Sequence, residues 1–240
     1  RKIIYTLFTK YKSNTKDELK IAQLAASVAE NTAYIHGEIS LMEAIFKLCQ
    51  DYQGANNLPL LTGVGQYGSL NAQKPGTDHA SARYVFTKLS PYARLIFNII
   101  DDNILTNKVE EGQVVEFESF IGVIPMCLVN GVCGIGLGWS SNIPSFNPMD
   151  LIKVYKTKIM QGNYLELKPY YKGFNGTIAK KTEKSYEIKG LYAYNHPKLQ
   201  VNELPIGIGF IDYQDHLDNL IDKGIIKTFV NKSTTEHANF

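Results

Sequence analysis

The hydrophobic pattern of this chain changes near residue 108, and that change limits the folds open to it. Before this point, a set of apolar side chains recurs at i, i+3, i+4 and i+7, as on one face of a helix: Met42, Ile45, Phe46 and Cys49. After it, short apolar stretches alternate with turn-forming residues, which is typical of strands. We therefore expect an α+β chain with a helical part, residues 1–108, and a β-rich part, residues 109–240.

The helical part is expected to combine helices with a polar loop and a strand. The helices are predicted at residues 2–8, 22–30 and 39–50, and from Ser90-Pro91 to about Asn98. Residues 51–78 are rich in glycine and asparagine and predict a loop, whereas residues 84–89 alternate like a strand. Helices followed by a loop and a strand pair fit a winged-helix domain, a fold that spacing alone does not require.

The β-rich part predicts strands at residues 114–129, 135–143, 177–188 and 199–204. A helix is expected at residues 148–161, because Asn147 is a good cap and Pro148 suits the first helical position. A second helix is expected at residues 213–222, ending at Gly224. Residues 120–139 carry no charge, but their five glycines and Pro125 favour buried strands around a turn over a membrane span.

The composition is that of a globular protein with one or two domains. The chain has 240 residues, of which 44% are hydrophobic and 20% charged, and its net charge is only +2. Residues 151–198 carry ten lysines against three glutamates, whereas residues 199–240 carry three lysines against six acidic residues. The basic section suits contact with phosphates, and a solvated lysine surface is the alternative interpretation.

The three cysteines, Cys49, Cys127 and Cys133, have no metal-ligand spacing. Cys49 lies in a helical pattern and Cys127 in an apolar stretch, so we expect both to be buried, reduced thiols of an intracellular protein.

Arg83 and Tyr84 are adjacent, follow a flexible polar loop and form the candidate catalytic pair. A tyrosine hydroxyl is a poor nucleophile at neutral pH, because its pKa is about 10. It attacks a phosphodiester only when a cation positions the phosphate and stabilises the developing charge. Arginine suits this task, since its planar fork binds two phosphate oxygens and remains charged. The pair is a weak motif by itself, because most tyrosines serve packing.

In many short segments the chain resembles the DNA-cleavage core of type IIA topoisomerases of the eukaryotic kind. The matching segments, in the family's order, are residues 1–8, 20–30, 36–38, 65–68, 80–84, 124–131, 134–136, 138–140 and 203–205. The resemblance implies that residues 1–108 form the winged-helix (CAP-like) domain and residues 109–240 the first portion of the tower domain. The family pattern also makes residues 18–21 a short strand, where Thr15 and Glu18 by themselves allow a capping box.

The resemblance assigns roles to individual residues. It implies that Tyr84 is the nucleophile that links covalently to DNA, that Arg83 positions the phosphate, and that His36 lies near the scissile phosphate. Ile135 matches an apolar wedge that enters between base pairs and bends the duplex. The expected DNA-binding residues are Arg1, Lys2, Gln66, Lys74, Ser81 and Ile135.

The chain departs from the family pattern at several of these places. Ala82 stands where a proline is often found, Ile35 where a second histidine is common, and Cys133 where an acidic residue is common. Loss of the proline is expected to loosen the approach to Tyr84. Departures of this kind are typical of an outlying branch, such as the enzyme of a large DNA virus.

No metal site is expected within this chain. Asp101-Asp102 and Glu110-Glu111 lack the spacing of a magnesium site, and we expect both pairs to be solvated. The resemblance implies Mg²⁺ held by a TOPRIM domain and ATP bound by a further domain, both outside this chain. It also implies a homodimer that acts on double-stranded DNA, in the nucleus of a cellular eukaryote or in the host cytoplasm for a cytoplasmic virus, with no membrane contact.

The leading hypothesis is therefore a fragment of a type IIA topoisomerase, inactive alone, that breaks and rejoins duplex DNA during ATP-dependent strand passage. The alternative is a non-catalytic winged-helix module that binds duplex DNA, which explains the lysines but not Arg83-Tyr84 together with His36. A nucleotide-binding fold is disfavoured, because residues 130–138 fit neither G-x-G-x-x-G nor a Walker A loop and are more typical of a hairpin.

Overall fold

The first part of the chain folds as helices packed on a small antiparallel sheet. The computed structural model describes residues 1–183 and 185–240. In chain order, the elements here are helix α1 (Lys2–Thr9), strand β1 (Leu19–Lys20), helices α2 (Ile21–Asn31) and α3 (Glu38–Cys49), strands β2 (Leu61–Val64) and β3 (Phe86–Leu89), helix α4 (Ala93–Ile96) and a 3-10 helix (Ile99–Asn103). The first three helices match their predictions closely, whereas the helix expected after Pro91 is a single turn, α4.

The sheet has the order β1-β3-β2, with antiparallel pairing throughout. The short strand suggested by the family pattern is confirmed as β1, and the capping box is not formed, since Lys20 caps α2 without a side-chain bond. The loop prediction for residues 51–78 is wrong at β2. That strand is too short to show a period of its own, and it exists because β3, far later in the chain, supplies its hydrogen-bond partners.

The main core lies between α1, α2, α3 and this sheet. The helical spacing seen in the sequence is confirmed, because Ile45, Phe46 and Cys49 are buried and Met42 packs against the same cluster. Two smaller clusters lie further along the chain, one around Leu151 and one around Phe210.

The second part consists mainly of two-stranded hairpins and helices. Its elements are strands β4 (Asn107–Glu110) and β5 (Gln113–Phe117), helix α5 (Met126–Val129), strands β6 (Val132–Ile135) and β7 (Ser140–Ile143), helix α6 (Pro148–Gln161), strands β8 (Thr177–Thr182), β9 (Ser185–Lys189), β10 (Tyr192–Asn195) and β11 (Lys198–Val201), and helix α7 (Phe210–Asp222). Each consecutive pair of these strands forms its own antiparallel hairpin. Strand β10 has no counterpart among the sequence-based predictions, because its pairing with β11 decides it.

Helix α6 is confirmed with its predicted bounds. The Asn147 side chain accepts a hydrogen bond from the Met149 N–H at 2.9 Å, Pro148 occupies the first turn, and Gly162 ends the helix in the left-handed conformation. Each of these signals is local, so the sequence is sufficient to place the helix.

The prediction of buried strands across residues 120–139 is wrong in two respects. Residues Met126–Val129 form a helical turn that buries Val129 and leaves Cys127 exposed, so the expected burial of Cys127 is wrong as well. Strands β6 and β7 are exposed along their whole length, because they form an isolated two-stranded hairpin with no second layer over it. No helix in the described part of the chain combines the length and apolar character needed to cross a membrane.

The acidic pairs expected to be solvated instead take part in ion pairs. Asp102 receives both outer nitrogens of Arg94, at 3.1 and 2.8 Å, and the same guanidinium stacks on the ring of Phe8. Glu110 lies 3.0 Å from the Lys2 ammonium. These carboxylates hold the junction between the two parts of the chain together.

Candidate functional site

Tyr84 ends a tight turn that immediately precedes the central strand β3. Its N–H donates to the Ser81 carbonyl at 2.9 Å and closes the turn. The next residue, Val85, is buried, whereas Arg83 is exposed and the Tyr84 side chain is 73% exposed. The chain thus anchors Val85 in the core and projects Arg83 and Tyr84 to the surface, where a large phosphodiester can reach both.

The same turn is attached to the beginning of helix α2. The N–H groups of Ile21 and Ala22 donate to the carbonyls of Val85 and Ala82, both at 3.2 Å. The first N–H groups of a helix have no partner within the helix, and α2 has no side-chain cap. The carbonyls on either side of Arg83-Tyr84 therefore complete α2, which fixes the turn against the core.

The loop before this turn is cross-linked by polar contacts. The Ala80 N–H donates to the Gln66 carbonyl at 3.0 Å, which brings the predicted DNA-binding residues Gln66 and Ser81 to neighbouring backbone positions. Ser69 donates to Asp78 from both its hydroxyl and its N–H. Burial acts to raise the pKa of Asp78, but the hydrogen bonds from Ser69 outweigh it, so the pKa lies below its ordinary value. Lys74 lies exposed in the same loop.

Gly68 is required by this loop. Its φ is +101°, and a Cβ at this position would lie 2.5 Å from the Cα of Gly76. Only glycine combines this backbone conformation with so close an approach.

His79 is a site-adjacent residue that the sequence reasoning missed. Its ring stacks on Phe46 at 3.7 Å between centroids, and its Nε2 lies 3.3 Å from a carboxylate oxygen of Glu43. Both contacts come from helix α3, so the ring ties the segment before Arg83 to that helix. The sequence carries no signal for this contact, because more than thirty residues separate Phe46 and His79.

His36 lies exposed on the loop between α2 and α3, and its ring meets that of Tyr34 edge-on at 5.5 Å. Gly37 then caps α3. The loop leaves the His36 side chain open to solvent, and its approach to a phosphate remains a prediction.

The first two residues are engaged by the second part of the chain. The Arg1 guanidinium donates to the carbonyl of Glu118. Lys2 binds Glu116 at 2.8 Å and Glu110 at 3.0 Å. Burial acts to lower the pKa of Lys2, but the hydrogen bonds with the two glutamates outweigh it and raise the pKa. Lys2 is therefore a charge-compensated residue of the fold, and DNA contact by Arg1 and Lys2 remains a prediction.

Ile135 lies at the outer end of the β6–β7 hairpin, opposite Ser140, and its side chain is 93% exposed. Leu137 and Trp139, at the same end, are also strongly exposed. An isolated apolar side chain on a surface is ordinary, but three at the tip of one hairpin form a projecting apolar edge. This edge is available to enter a groove or separate stacked bases.

Within residues 1–183 and 185–240, no three histidine, cysteine or acidic residues cluster in a way that could hold a metal ion. The chemical groups at the site are therefore a hydroxyl nucleophile, a guanidinium and exposed polar loops.

Comparisons with known proteins agree with this arrangement. All 240 residues match the model of the family described as the A-type subunit of DNA gyrase/topoisomerase IV. The DNA topoisomerase 2, mitochondrial, of Dictyostelium discoideum is 43% identical over 237 residues, and the DNA topoisomerase 2-alpha of Sus scrofa is 42% identical over 223 residues. These alignments cover 98% and 92% of this chain but only 18% and 14% of the two relatives.

A solved structure extends the agreement to three dimensions. The crystal structure of the Plasmodium falciparum topoisomerase II DNA-binding, cleavage and re-ligation domain aligns with a TM-score of 0.93 at 38% sequence identity. The alignment covers 99% of this chain and 32% of that chain. With an α+β fold that matches a topoisomerase II along almost its whole length, the chain belongs to the family of DNA gyrase/topoisomerase IV A-type subunits.

Proposed function

We propose that this chain is the nucleophile-bearing part of a type IIA DNA topoisomerase, which breaks and rejoins double-stranded DNA through a covalent link to Tyr84. The observation that carries the proposal is the exposed Arg83-Tyr84 turn, closed onto Ser81 and fixed to helix α2. A packing tyrosine is expected to be buried, and this one is directed outward beside an exposed guanidinium.

The reaction is a transesterification. The Tyr84 oxygen attacks phosphorus and forms a P–O bond, the bond from phosphorus to one deoxyribose oxygen breaks, and that oxygen takes up a proton. Rejoining is the reverse. Arg83 holds two non-bridging phosphate oxygens through its fork and stabilises the charge that develops on them. His36, on the neighbouring loop, is assigned to the same phosphate.

The remaining assignments describe how DNA is held. Gln66, Lys74 and Ser81 bind the backbone next to the cleavage turn, Arg1 and Lys2 support it from the first turn of α1, and Ile135 is the wedge. Residues 1–108 are the winged-helix domain and residues 109–240 the first portion of the tower domain.

The full enzyme is proposed to be a homodimer that couples cleavage to ATP-dependent strand passage. Mg²⁺ is assigned to a TOPRIM domain and ATP to a further domain, neither of them within this chain. Mg²⁺ would supply charge stabilisation at the leaving oxygen. The relatives place such enzymes with DNA, for example in mitochondria by the name of the Dictyostelium protein, so we assign this one to a DNA-containing compartment such as the nucleus or a mitochondrion.

The decisive experiment compares Tyr84→Phe with the parent in a full-length enzyme that carries this chain. The substitution removes one exposed hydroxyl and keeps the ring, so duplex binding is expected to persist while protein-linked DNA disappears from denaturing gels. The 240-residue chain alone, with Mg²⁺, is expected to bind duplex DNA but form no link. A Tyr84→Phe enzyme that still forms linked DNA would refute the assignment, and the non-catalytic winged-helix alternative requires the parent to form none.

A further inference from the structure

The buried side chain of Asn57 joins both ends of the wedge hairpin to the part of the chain that carries Tyr84. Its Nδ2 donates to the carbonyl of Val129 at 2.9 Å, just before strand β6, and to that of Phe146 at 3.1 Å, just after strand β7. The same nitrogen lies 2.9 Å from the Tyr170 carbonyl, and Oδ1 accepts from the Lys172 N–H at 2.8 Å. Asn57 is only 9% exposed.

The next residue, Leu58, adds a second connection. Its N–H donates to Asn130 Oδ1 at 2.9 Å, and its carbonyl accepts from Asn130 Nδ2 at 3.0 Å. The Leu58 side chain packs against the main core and also against the cluster of Val129 and Phe146. Asn130 directly precedes the hairpin, so two consecutive residues hold its base by polar and apolar contacts.

A short stretch of chain links this connection to the nucleophile. Strand β2 begins at Leu61, only a few residues after Leu58, and pairs with β3 from Leu61–Leu89 to Val64–Phe86. Phe86 follows Tyr84 by two positions. The position of Ile135 relative to Tyr84 is thus transmitted through Asn57-Leu58 and the β2–β3 pair.

We propose that Asn57 is a positioning residue that sets where the Ile135 wedge meets DNA relative to the Tyr84 nucleophile. This inference rests on the proposed function, since it takes Ile135 as the wedge and Tyr84 as the nucleophile. Asn57 touches neither DNA nor the reacting atoms and acts through the base of the hairpin. The amide is suited to this task, because a side chain that both donates and accepts joins several backbone segments that have no regular pairing with one another.

The test uses Asn57→Ala in a full-length enzyme that carries this chain, with Asn56→Ala as the matched control. The Asn56 Nδ2 also donates to two carbonyls, those of Lys47 and Gln50, but both lie within the first part of the chain. Bending is measured by fluorescence transfer between the ends of a labelled duplex. Cleavage is measured as protein-linked DNA on an intact duplex and on a duplex with an unpaired bulge at the wedge step, where the deformation is already present.

Asn57→Ala is expected to reduce bending and to lower cleavage of the intact duplex by ~10-fold to ~100-fold, the scale of a misplacement of about 1 Å. The bulged duplex should restore cleavage to near the parent level, because it no longer depends on the wedge. Asn56→Ala should bend and cleave like the parent, even where thermal melting shows a comparable loss of stability. Asn130→Ala, which removes only the bonds to Leu58, should give a weaker form of the Asn57 effect.

Three outcomes would overturn the proposal: unchanged bending in Asn57→Ala, equal effects of Asn56→Ala and Asn57→Ala, or loss of cleavage that the bulge does not restore. If Asn57→Ala does not fold, Asn130→Ala is tested by the same criteria. The Ile135→Ala enzyme separates this result from the underlying assignment. If it bends DNA normally, the wedge role itself is wrong, whereas normal bending by Asn57→Ala alone rejects only the positioning role.

Discussion

The carbonyl oxygen of Ala82 accepts a hydrogen bond from the N–H of Ala22 at 3.2 Å, which ties the turn that presents Tyr84 to the start of helix α2. Ala82 stands where related sequences often have proline, and the sequence predicts that this change loosens the approach to Tyr84. The hydrogen bond uses the carbonyl, which proline also has, so the connection does not depend on the missing ring.

Ala82→Pro is expected to stabilise the protein. Ala82 is the second residue of the turn from Ser81 to Tyr84, a position that proline favours. A compatible proline stabilises by about 0.4–1 kcal/mol through the unfolded state, which corresponds to a rise of roughly 1–4 °C in melting temperature for a chain of this size. Calorimetry measures the shift, and retention of covalent DNA linkage by the full-length variant is the control for an intact site. A lower melting temperature would show that the turn does not accommodate the ring.

Ile135→Ala is expected to leave stability almost unchanged. The side chain is 93% exposed, so truncation creates no cavity and the free energy of unfolding should change by no more than about 0.5 kcal/mol. If Ile135 were instead a core residue, the cost would be about 2–5 kcal/mol. Thermal melts distinguish these values. DNA bending is expected to fall in the same variant, while phosphate-driven binding declines only modestly.

Lys2→Ala is expected to destabilise the fold by about 1–3 kcal/mol, because it leaves the buried carboxylate of Glu116 without its cation. Lys10→Ala is a matched control at the other end of α1. Its ion pair with Glu30 is exposed, so a change of at most about 1 kcal/mol is expected. Denaturant unfolding of the two variants measures the difference. Equal effects would contradict a structural role for Lys2, and a reduced salt dependence of DNA binding in Lys2→Ala would show that it also contacts phosphate.

The three cysteines are expected to differ in reactivity. Burial raises the pKa of Cys49 to about 12, and its sulfur lies 3.1 Å from the Thr87 hydroxyl. Iodoacetamide at pH 8 should therefore modify the exposed Cys127 and Cys133 in the folded protein and reach Cys49 only in denaturant, as read by peptide mass spectrometry.

The same burial predicts a pH effect. The folded pKa of Cys49 lies above its ordinary value of 9.0, so its contribution to stability is fully present below about pH 9 and is lost as the pH rises towards 12. Cys49→Ala should show a weaker loss of stability over this alkaline range than the parent. An identical pH dependence in both proteins would contradict the shifted pKa.

The sequence by itself determined the features that depend on neighbouring residues. Helix α6 follows from Asn147, Pro148 and Gly162, since capping and the left-handed end are local. The spacing of Ile45, Phe46 and Cys49 identified the buried face of α3 in the same way. The adjacent pair Arg83-Tyr84 was likewise visible as a candidate site, with its role supplied by family resemblance.

Only the tertiary structure decided which residues meet across long stretches of chain. Strand β2 exists because β3 pairs with it, Cys127 is exposed because a single helical turn buries Val129 instead, and Lys2 is neutralised by Glu110 and Glu116 from the second part of the chain. The connection of the wedge hairpin through Asn57 is of the same kind. Local pattern specifies backbone conformation and an apolar face, but hydrogen bonds and ion pairs between distant segments depend on how those segments pack.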